Sequence, residues 1–208
     1  MSPFFKTMND RQKLRRKIRQ QRAGLTTDQI AHASLLASAR LIKLPAYRRA
    51  KRIAGYIAHG GELDPLPVML HAVATGKQCY LPRLHPFLKG RMWFVRWRPG
   101  APLIANRFGI PEPPLTKGAR VSGWMLHLVI VPLVAFDDRM HRLGMGQGFY
   151  DRSFAFRHHR KRWKCPVLCG FAHYFQQHDV LGSNPWDVPM DMVVTDKDLT
   201  PPVKQTTT

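Results

Sequence analysis

Residues 126–136 run Leu126-His-Leu-Val-Ile-Val-Pro-Leu-Val-Ala-Phe136, and residues 142–152 run Arg142-Leu-Gly-Met-Gly-Gln-Gly-Phe-Tyr-Asp-Arg152. The first is the most apolar run in the chain. A strand with one wet face alternates apolar and polar residues. This run does not, so it reads as one central strand buried on both faces, as in a parallel sheet. Gly144, Gly146 and Gly148 alternate behind it, and a helix is expected over about Tyr150 to Arg162. Strand, glycine-rich loop and helix together are a recurring way to hold phosphate. Glycines let backbone N–H groups come close to a ligand, and the helix N-terminus adds partial positive charge. Arg142 and Arg152 add full charges. The spacing matches neither the G-x-G-x-x-G dinucleotide fingerprint nor a P-loop. Asp151 stands where a carboxylate can share Mg²⁺ with phosphate oxygens. A tight turn beside an ordinary surface carboxylate has the same spacing.

The flanking sequence carries the pattern of an α/β domain. Arg52 to Ala58 reads as a strand, His59-Gly60-Gly61 as a turn, Pro65 to Ala74 as a helix ended by Gly76, and Gln78 to Pro82 as the next strand. That is a β-α-β unit, which implies parallel strands joined by a right-handed crossover. Met92 to Arg98 alternates like a strand, 99–118 is a Pro- and Gly-rich extended loop, and Val167 to Ala172 and Met192 to Thr195 are further strands. Two helices precede them, 9–23 and 27–44, the second capped by Thr27 or Asp28. The reading is one α/β domain over 9–198. Its sheet is mixed or mostly parallel and flanked by helices, with a basic N-terminal helix. Residues 1–8 and 199–208 are expected as flexible tails.

With 208 residues and 44% hydrophobic content, the chain can bury a proper core and is not compositionally disordered. A formal net charge of +20 calls for anionic partners, among which nucleic acid, membrane surfaces, nucleotides and polyanionic metabolites all qualify. Cys79, Cys165 and Cys169 have no metal-ligand spacing, and an odd number cannot all pair, so a reducing cytoplasm is the expected location. No run of about 18 apolar residues is present, and no membrane partner is expected.

Arg11, Arg15, Arg19 and Arg22 fall on one face of the first helix. Guanidinium forks suit phosphate oxygens, although a solvated basic face has the same pattern. Glu62 follows the first strand at its C-terminal end, the edge where open α/β sheets bind ligands. Asp187 and Asp191 flank a turn containing Pro189. Either could join Asp151 at a metal, or simply cap the turn.

Taken together these pieces resemble the 5-formyltetrahydrofolate cyclo-ligase family, over about residues 11–196. The strongest stretch is Pro132 to Asp137 followed by Arg142 to Arg152. In the family's order stand Leu14-Arg15, Gly61-Glu62-Leu-Asp64, Tyr80-Leu-Pro-Arg83, Phe108-Gly-Ile-Pro-Glu-Pro113, Gly170-Phe-Ala-His173 with Gln176, and Trp186-Asp-Val-Pro-Met-Asp191. The resemblance implies ATP- and Mg²⁺-dependent closure of a ring on a reduced folate. It assigns ATP contacts to Arg11, Arg15, Arg142, Leu143, Gly144, Met145, Gly146, Gln147, Gly148, Phe149 and Tyr150. It assigns folate contacts to Ile57, Glu62 and Met145 to Phe149, and Mg²⁺ ligation to Asp151 and Asp191. No general base is evident. The chain departs from the family's usual residues at Arg11 (Lys), Pro65 (Thr), Met140 (Gly) and Gln147 (Gly). A left-handed backbone at Met140 would be strained.

The expected partners are folate and ATP, with a monomer as the working state. A rival reading is a nucleic-acid-binding protein using the basic first helix and the run Arg157-His-His-Arg-Lys-Arg-Trp-Lys164. No helix-turn-helix, RNP or zinc-finger pattern accompanies it. A second rival is an inactive family member that keeps nucleotide binding.

Overall fold

The computed structural model describes residues 8–116, 118–159 and 165–200. Helix α1 (Met8–Ala23) leads into α2 (Thr27–Lys43) and the short α3 (Pro45–Arg49). Next come β1 (Arg52–Ala54), α4 (Leu66–Ala74), β2 (Gln78–Leu84) and β3 (Met92–Trp97). The Pro- and Gly-rich segment holds β4 (Ile104–Ala105), β5 (Pro111–Glu112) and β6 (Arg120–Val121). The chain continues with β7 (Leu128–Val131), β8 (Ala135–Phe136), β9 (Arg142–Leu143), α5 (Phe149–Phe154), β10 (Val167–Ala172), β11 (Met192–Thr195) and β12 (Leu199–Thr200).

The main sheet has the order β12-β11-β10-β7-β1-β2-β3-β6. Its centre, β11 through β2, is parallel, and β12, β3 and β6 add antiparallel edges. The period-2 alternation of strands sorts the β7 side chains onto two cores. Leu128 and Ile130 face one core with Ala37, Leu41, Val68 and Met69 of α2 and α4. Val129 and Val131 face the other with Phe94, Phe154 and Val188. A lone apolar face on either side would leave these strands wet; helices or loops cover both, as a parallel sheet requires.

Strand order also locates the site. From β1 the chain crosses to β2 on one side, and from β7 it crosses to β10 on the other. The carboxyl ends of β1 and β7 therefore flank a topological switch point, where open α/β sheets bind ligands.

Several boundaries differ from the sequence expectation, each for a physical reason. The run from Leu126 to Phe136 is two strands. Pro132 has no N–H to donate to a ladder, so β7 ends before it, and β8 turns away to pair with β9. The first strand stops at Ala54, before Gly55, where a Cβ would meet Met69 Sδ at 2.5 Å. The cap of α2 is Thr26, whose hydroxyl accepts the Gln29 N–H while the Gln29 side chain accepts the Thr26 N–H, a complete capping box. The helix after the glycine loop is only α5, continued by a 3₁₀ turn over Ala155–His158; residues 160–162 of the expected helix, and 160–164 of the basic run, lie outside the described residues. Leu199 and Thr200, expected as tail, pair with Val194 and Val193 as an edge strand.

Met140 has φ 65°, the only non-glycine residue with positive φ among the described residues. It closes the β8–β9 turn, donating its N–H to Asp137 O at 3.0 Å. The left-handed backbone costs about 1–2 kcal/mol. Its side chain, 2% exposed, packs with Leu133, Phe136 and Met190. Losing a buried Met side chain costs about 2–5 kcal/mol, which exceeds the strain. Met140→Gly is therefore expected to destabilise the protein by a net of about 1–3 kcal/mol. Urea denaturation measures this, and a stabilised variant would contradict it.

Candidate active site

A cavity of about 400 Å³ opens at the switch point. Tyr56, Ile57, His59 and Glu62, which follow β1, form one wall. Pro132 and Leu133 after β7 form the floor, and Arg142, Gly144, Met145, Gln147, Gly148, Phe149, Tyr150 and Asp151 form the opposite wall. The β4–β5 hairpin brings Asn106, Phe108, Ile110 and Glu112 over the opening. Ile57 and Glu62, the residues expected to meet folate, thus share one cavity with the glycine loop.

The loop is shaped by local backbone and held by arginines. Gly146 (φ 99°) and Gly148 (φ 61°) adopt left-handed conformations that a side chain would strain; Gly144 does not. Arg15 Nε donates to the Gly144 carbonyl at 2.9 Å, which seats α1 against the loop. Arg152, expected as charge for phosphate, instead braces the fold: it donates to the carbonyls of Gln147 and of Gly90. Leu143 faces the core with Leu14 and Ile18 of α1 rather than the cavity. Because α5 has six residues, its dipole contributes little, and side-chain charge and loop N–H groups dominate.

Arg11 donates to the Gly182 carbonyl and lies 3.6 Å from Asp187. Burial lowers the Arg15 pKa, and the nearby charge of Arg11 lowers it further. Both guanidiniums are held by carbonyls, and with Asp187 offsetting Arg11 the pair leaves net positive potential beside the loop. The expected row of four arginines does not survive intact. Arg19 is exposed, and Arg22 turns inward, 2% exposed, to pair with Glu62 at 3.4 Å.

Asp151 lies in the cavity wall. Its Oδ1 takes Arg142 Nη2 at 2.6 Å and the Val188 N–H at 3.0 Å. Its Oδ2 has no hydrogen-bond partner among the described residues. Asp191 is placed differently: Oδ1 takes Arg157 Nη2 at 2.6 Å and Oδ2 takes the Leu168 N–H at 2.7 Å. Asp191 is outside the cavity wall, and both its oxygens are engaged. No three His, Cys, Asp or Glu side chains converge on a metal position among the described residues. One free carboxylate oxygen still fits Mg²⁺, which takes one or two carboxylates and fills its shell with phosphate and water. The residues present therefore fit a phosphate-borne Mg²⁺ at Asp151, while Asp191 would first have to release Arg157.

Glu62 is 5% exposed, and its Oε2 accepts the His59 N–H at 3.3 Å and faces His59 Nδ1 at 3.3 Å. The bond to Glu62 raises the His59 pKa, against partial burial and the charge of Arg22. Tyr56 donates its hydroxyl to Leu63 O at 2.6 Å. Glu112 is similarly fixed by the Leu84 N–H at 3.1 Å and by Arg83 at 3.4 Å. Sequence reasoning had no role for Tyr56, His59, Phe108, Ile110 or Glu112, and placed Arg22 with the phosphate-facing arginines rather than beside Glu62. The Phe108-Gly-Ile-Pro-Glu-Pro113 motif was the available signal for Phe108, Ile110 and Glu112.

Among the described residues no helix is long and apolar enough to cross a membrane. The model of the 5-formyltetrahydrofolate cyclo-ligase family matches residues 7–196. The chain is 39% identical over 178 residues to a 5-formyltetrahydrofolate cyclo-ligase of Escherichia coli K12, covering 86% of this chain and 96% of that one. It is 38% identical over 182 residues to the Haemophilus influenzae enzyme of that name, covering 86% and 94%. Its fold is similar to the NMR structure of Aquifex aeolicus 5,10-methenyltetrahydrofolate synthetase, with TM-score 0.78, 30% identity and 95% of each chain covered. None of these likenesses favours a nucleic-acid-binding protein. Fold, cavity and kinship agree, and the chain belongs to the 5-formyltetrahydrofolate cyclo-ligase family.

Proposed function

We propose that this chain converts 5-formyltetrahydrofolate to 5,10-methenyltetrahydrofolate at the expense of ATP, releasing ADP and phosphate. The observation that carries the reading is the single cavity at the switch point. A glycine loop, braced by Arg15 of α1, bounds one side of it, and a fixed carboxylate bounds the other.

A formyl oxygen is a poor leaving group. Its attack on the γ-phosphorus forms an O–P bond and releases ADP. N10 of the folate then attacks the activated carbon, the carbon–oxygen bond breaks, phosphate departs, and the N10 proton is lost. Phosphoryl transfer of this kind needs positioning and charge neutralisation more than covalent help from the protein. Arg11 and Arg15 supply positive potential where phosphate charge accumulates, and the N–H groups of the glycine loop orient the oxygens. Asp151 Oδ2 would hold Mg²⁺, which neutralises phosphate charge when bound. The apolar lining supplied by Ile57, Leu133 and Phe149 suits the flat pterin and excludes water from the activated intermediate. Glu62 accepts hydrogen bonds from the folate's N–H groups.

Glu62→Gln is expected to raise KM for the folate on the order of tenfold or more, since one charge-assisted hydrogen bond is worth about 1.5–3 kcal/mol. KM for ATP stays near its wild-type value. Steady-state kinetics with each substrate varied in turn checks both. An unchanged folate KM with a raised ATP KM would reverse the assignment.

A further inference from the structure

Arg22 is the residue the mechanism has left unused. It sits in the last turn of α1, one of the largest fully buried side chains of the protein. A buried guanidinium costs several kcal/mol unless it is paired, and its partner is the Glu62 carboxylate at 3.4 Å. The surrounding backbone is built to bring them together. Gly61, immediately before Glu62, has φ 75°, and a Cβ there would lie 2.6 Å from the Arg22 carbonyl oxygen. No side chain fits at that position, so the His59-Gly60-Gly61-Glu62 turn is packed directly on the end of α1.

The same turn is held from its other side. His173, at the end of β10, donates from Nε2 to the Gly61 carbonyl at 3.0 Å. Burial lowers the His173 pKa, which keeps the ring in the neutral form. Gln176 fixes the His173 backbone at 2.9 Å, and its amide donates to Leu133 O and Val134 O, both at 2.9 Å. The turn therefore has a rigid back wall, and the Glu62 side chain is set within it by Arg22 on Oε1 and His59 on Oε2.

We propose that Arg22 is a positioning residue for the folate half of the site: its guanidinium fixes the Glu62 carboxylate in the orientation that meets the folate. The proposal rests on the reading of Glu62 as a folate contact. It also gives α1 a double duty. Arg15 reaches the glycine loop and Arg22 reaches Glu62 from one helix, seven residues apart, or about 10 Å at 1.5 Å per residue. A single rigid element thereby sets the separation between the phosphate anchor and the folate anchor.

The test is a double-mutant cycle of Arg22→Met and Glu62→Gln, with Arg22→Lys as the conservative variant. Both KM values, kcat and Tm are read on each. Expected is a rise in folate KM for Arg22→Met on the order of tenfold, similar to Glu62→Gln, with ATP KM within about twofold of wild type. The double variant should match Glu62→Gln alone, because Arg22 acts through Glu62. Arg22→Lys should fall between wild type and Arg22→Met, since Lys keeps charge but lacks the planar fork. Arg22→Met leaves Glu62 buried without its partner. Should it fail to fold, the double variant, which removes both charges, and Arg22→Lys carry the comparison.

If Arg22 merely anchors α1, the helix shifts with Arg15 aboard, and both KM values rise together. That result overturns the proposal, as does a lowered Tm with unchanged folate KM, or a double variant whose folate KM is the product of the single effects. A Glu62→Gln enzyme with wild-type folate KM would instead remove the underlying reading of Glu62, and is distinguishable because it fails whatever Arg22 does.

Discussion

Asp151→Asn is expected to lower kcat by about 10²–10³-fold while leaving the fold in place, the cost typical of one lost electrostatic contact to a transition state. The free oxygen is the reason. Oδ1 is engaged by Arg142 and the Val188 N–H, so Oδ2 is the atom available to a phosphate-borne Mg²⁺. Asparagine keeps an acceptor for the Val188 N–H but loses the charge a metal needs. The competing reading is that Asp151 is only a strut between Arg142 and the 181–188 segment, where Arg142 also donates to Val188 O at 2.5 Å. Leaving Arg142, with its side chain 6% exposed, without its carboxylate costs some stability on either reading, but a strut alone predicts near-normal kcat for the folded fraction. The kcat per folded protein, with Tm read on the same sample, separates the two. Normal kcat at saturating Mg²⁺ would remove Asp151 from the metal position.

Asp137→Ala is expected to destabilise the protein by about 3–5 kcal/mol. Asp137 is fully buried. Its Oδ1 accepts the N–H groups of Arg139 at 3.0 Å and His141 at 2.9 Å, and its Oδ2 accepts the Leu181 N–H at 2.9 Å. His141 Nδ1 stands 3.1 Å from Oδ2. Truncation leaves three backbone donors without an acceptor, at about 1–3 kcal/mol each where water cannot replace it. The carboxylate ties the β8–β9 turn to the start of the 181–188 segment, so the glycine loop loses its support on both sides. For a chain of this size such a loss lowers Tm by roughly 10 °C. Thermal unfolding followed by circular dichroism measures it, and a Tm within about 2 °C of wild type would contradict the assigned role. Asp137→Asn, which keeps Oδ1, should lose less.

How much was legible in the sequence follows from which forces act locally. The β-α-β unit, β10 and β11 were readable because apolar period and flanking turn residues agreed. The break in 126–136 was not, because hydrophobicity alone cannot tell one long strand from two short ones; Pro132 was the signal, and its missing donor decided the ladder. The β4–β5 hairpin has two residues per strand, too few for a period, yet it brings Phe108 and Glu112 over the cavity. Spacing alone pointed to the glycine loop. Ile57 and Glu62 as folate contacts came from family resemblance. The arginine row shows the limit of helical-face reasoning: Arg11, Arg15 and Arg22 share a face, yet a shift of seven residues moves the side chain from the glycine loop to a buried carboxylate. Tertiary partners, not periodicity, set those roles.

The central claim, a ring closure that consumes ATP with Mg²⁺ in this cavity, is tested most directly by near-ultraviolet absorbance. Protein is mixed with 5-formyltetrahydrofolate, ATP and Mg²⁺, and the band of 5,10-methenyltetrahydrofolate is followed. The account requires a rise that depends on all three together, is abolished by excess chelator, and returns when Mg²⁺ is restored. Equal product with chelator present, or without ATP, would contradict it. So would the absence of any product from a protein that still binds ADP, which would mark a nucleotide-binding member of the family without turnover.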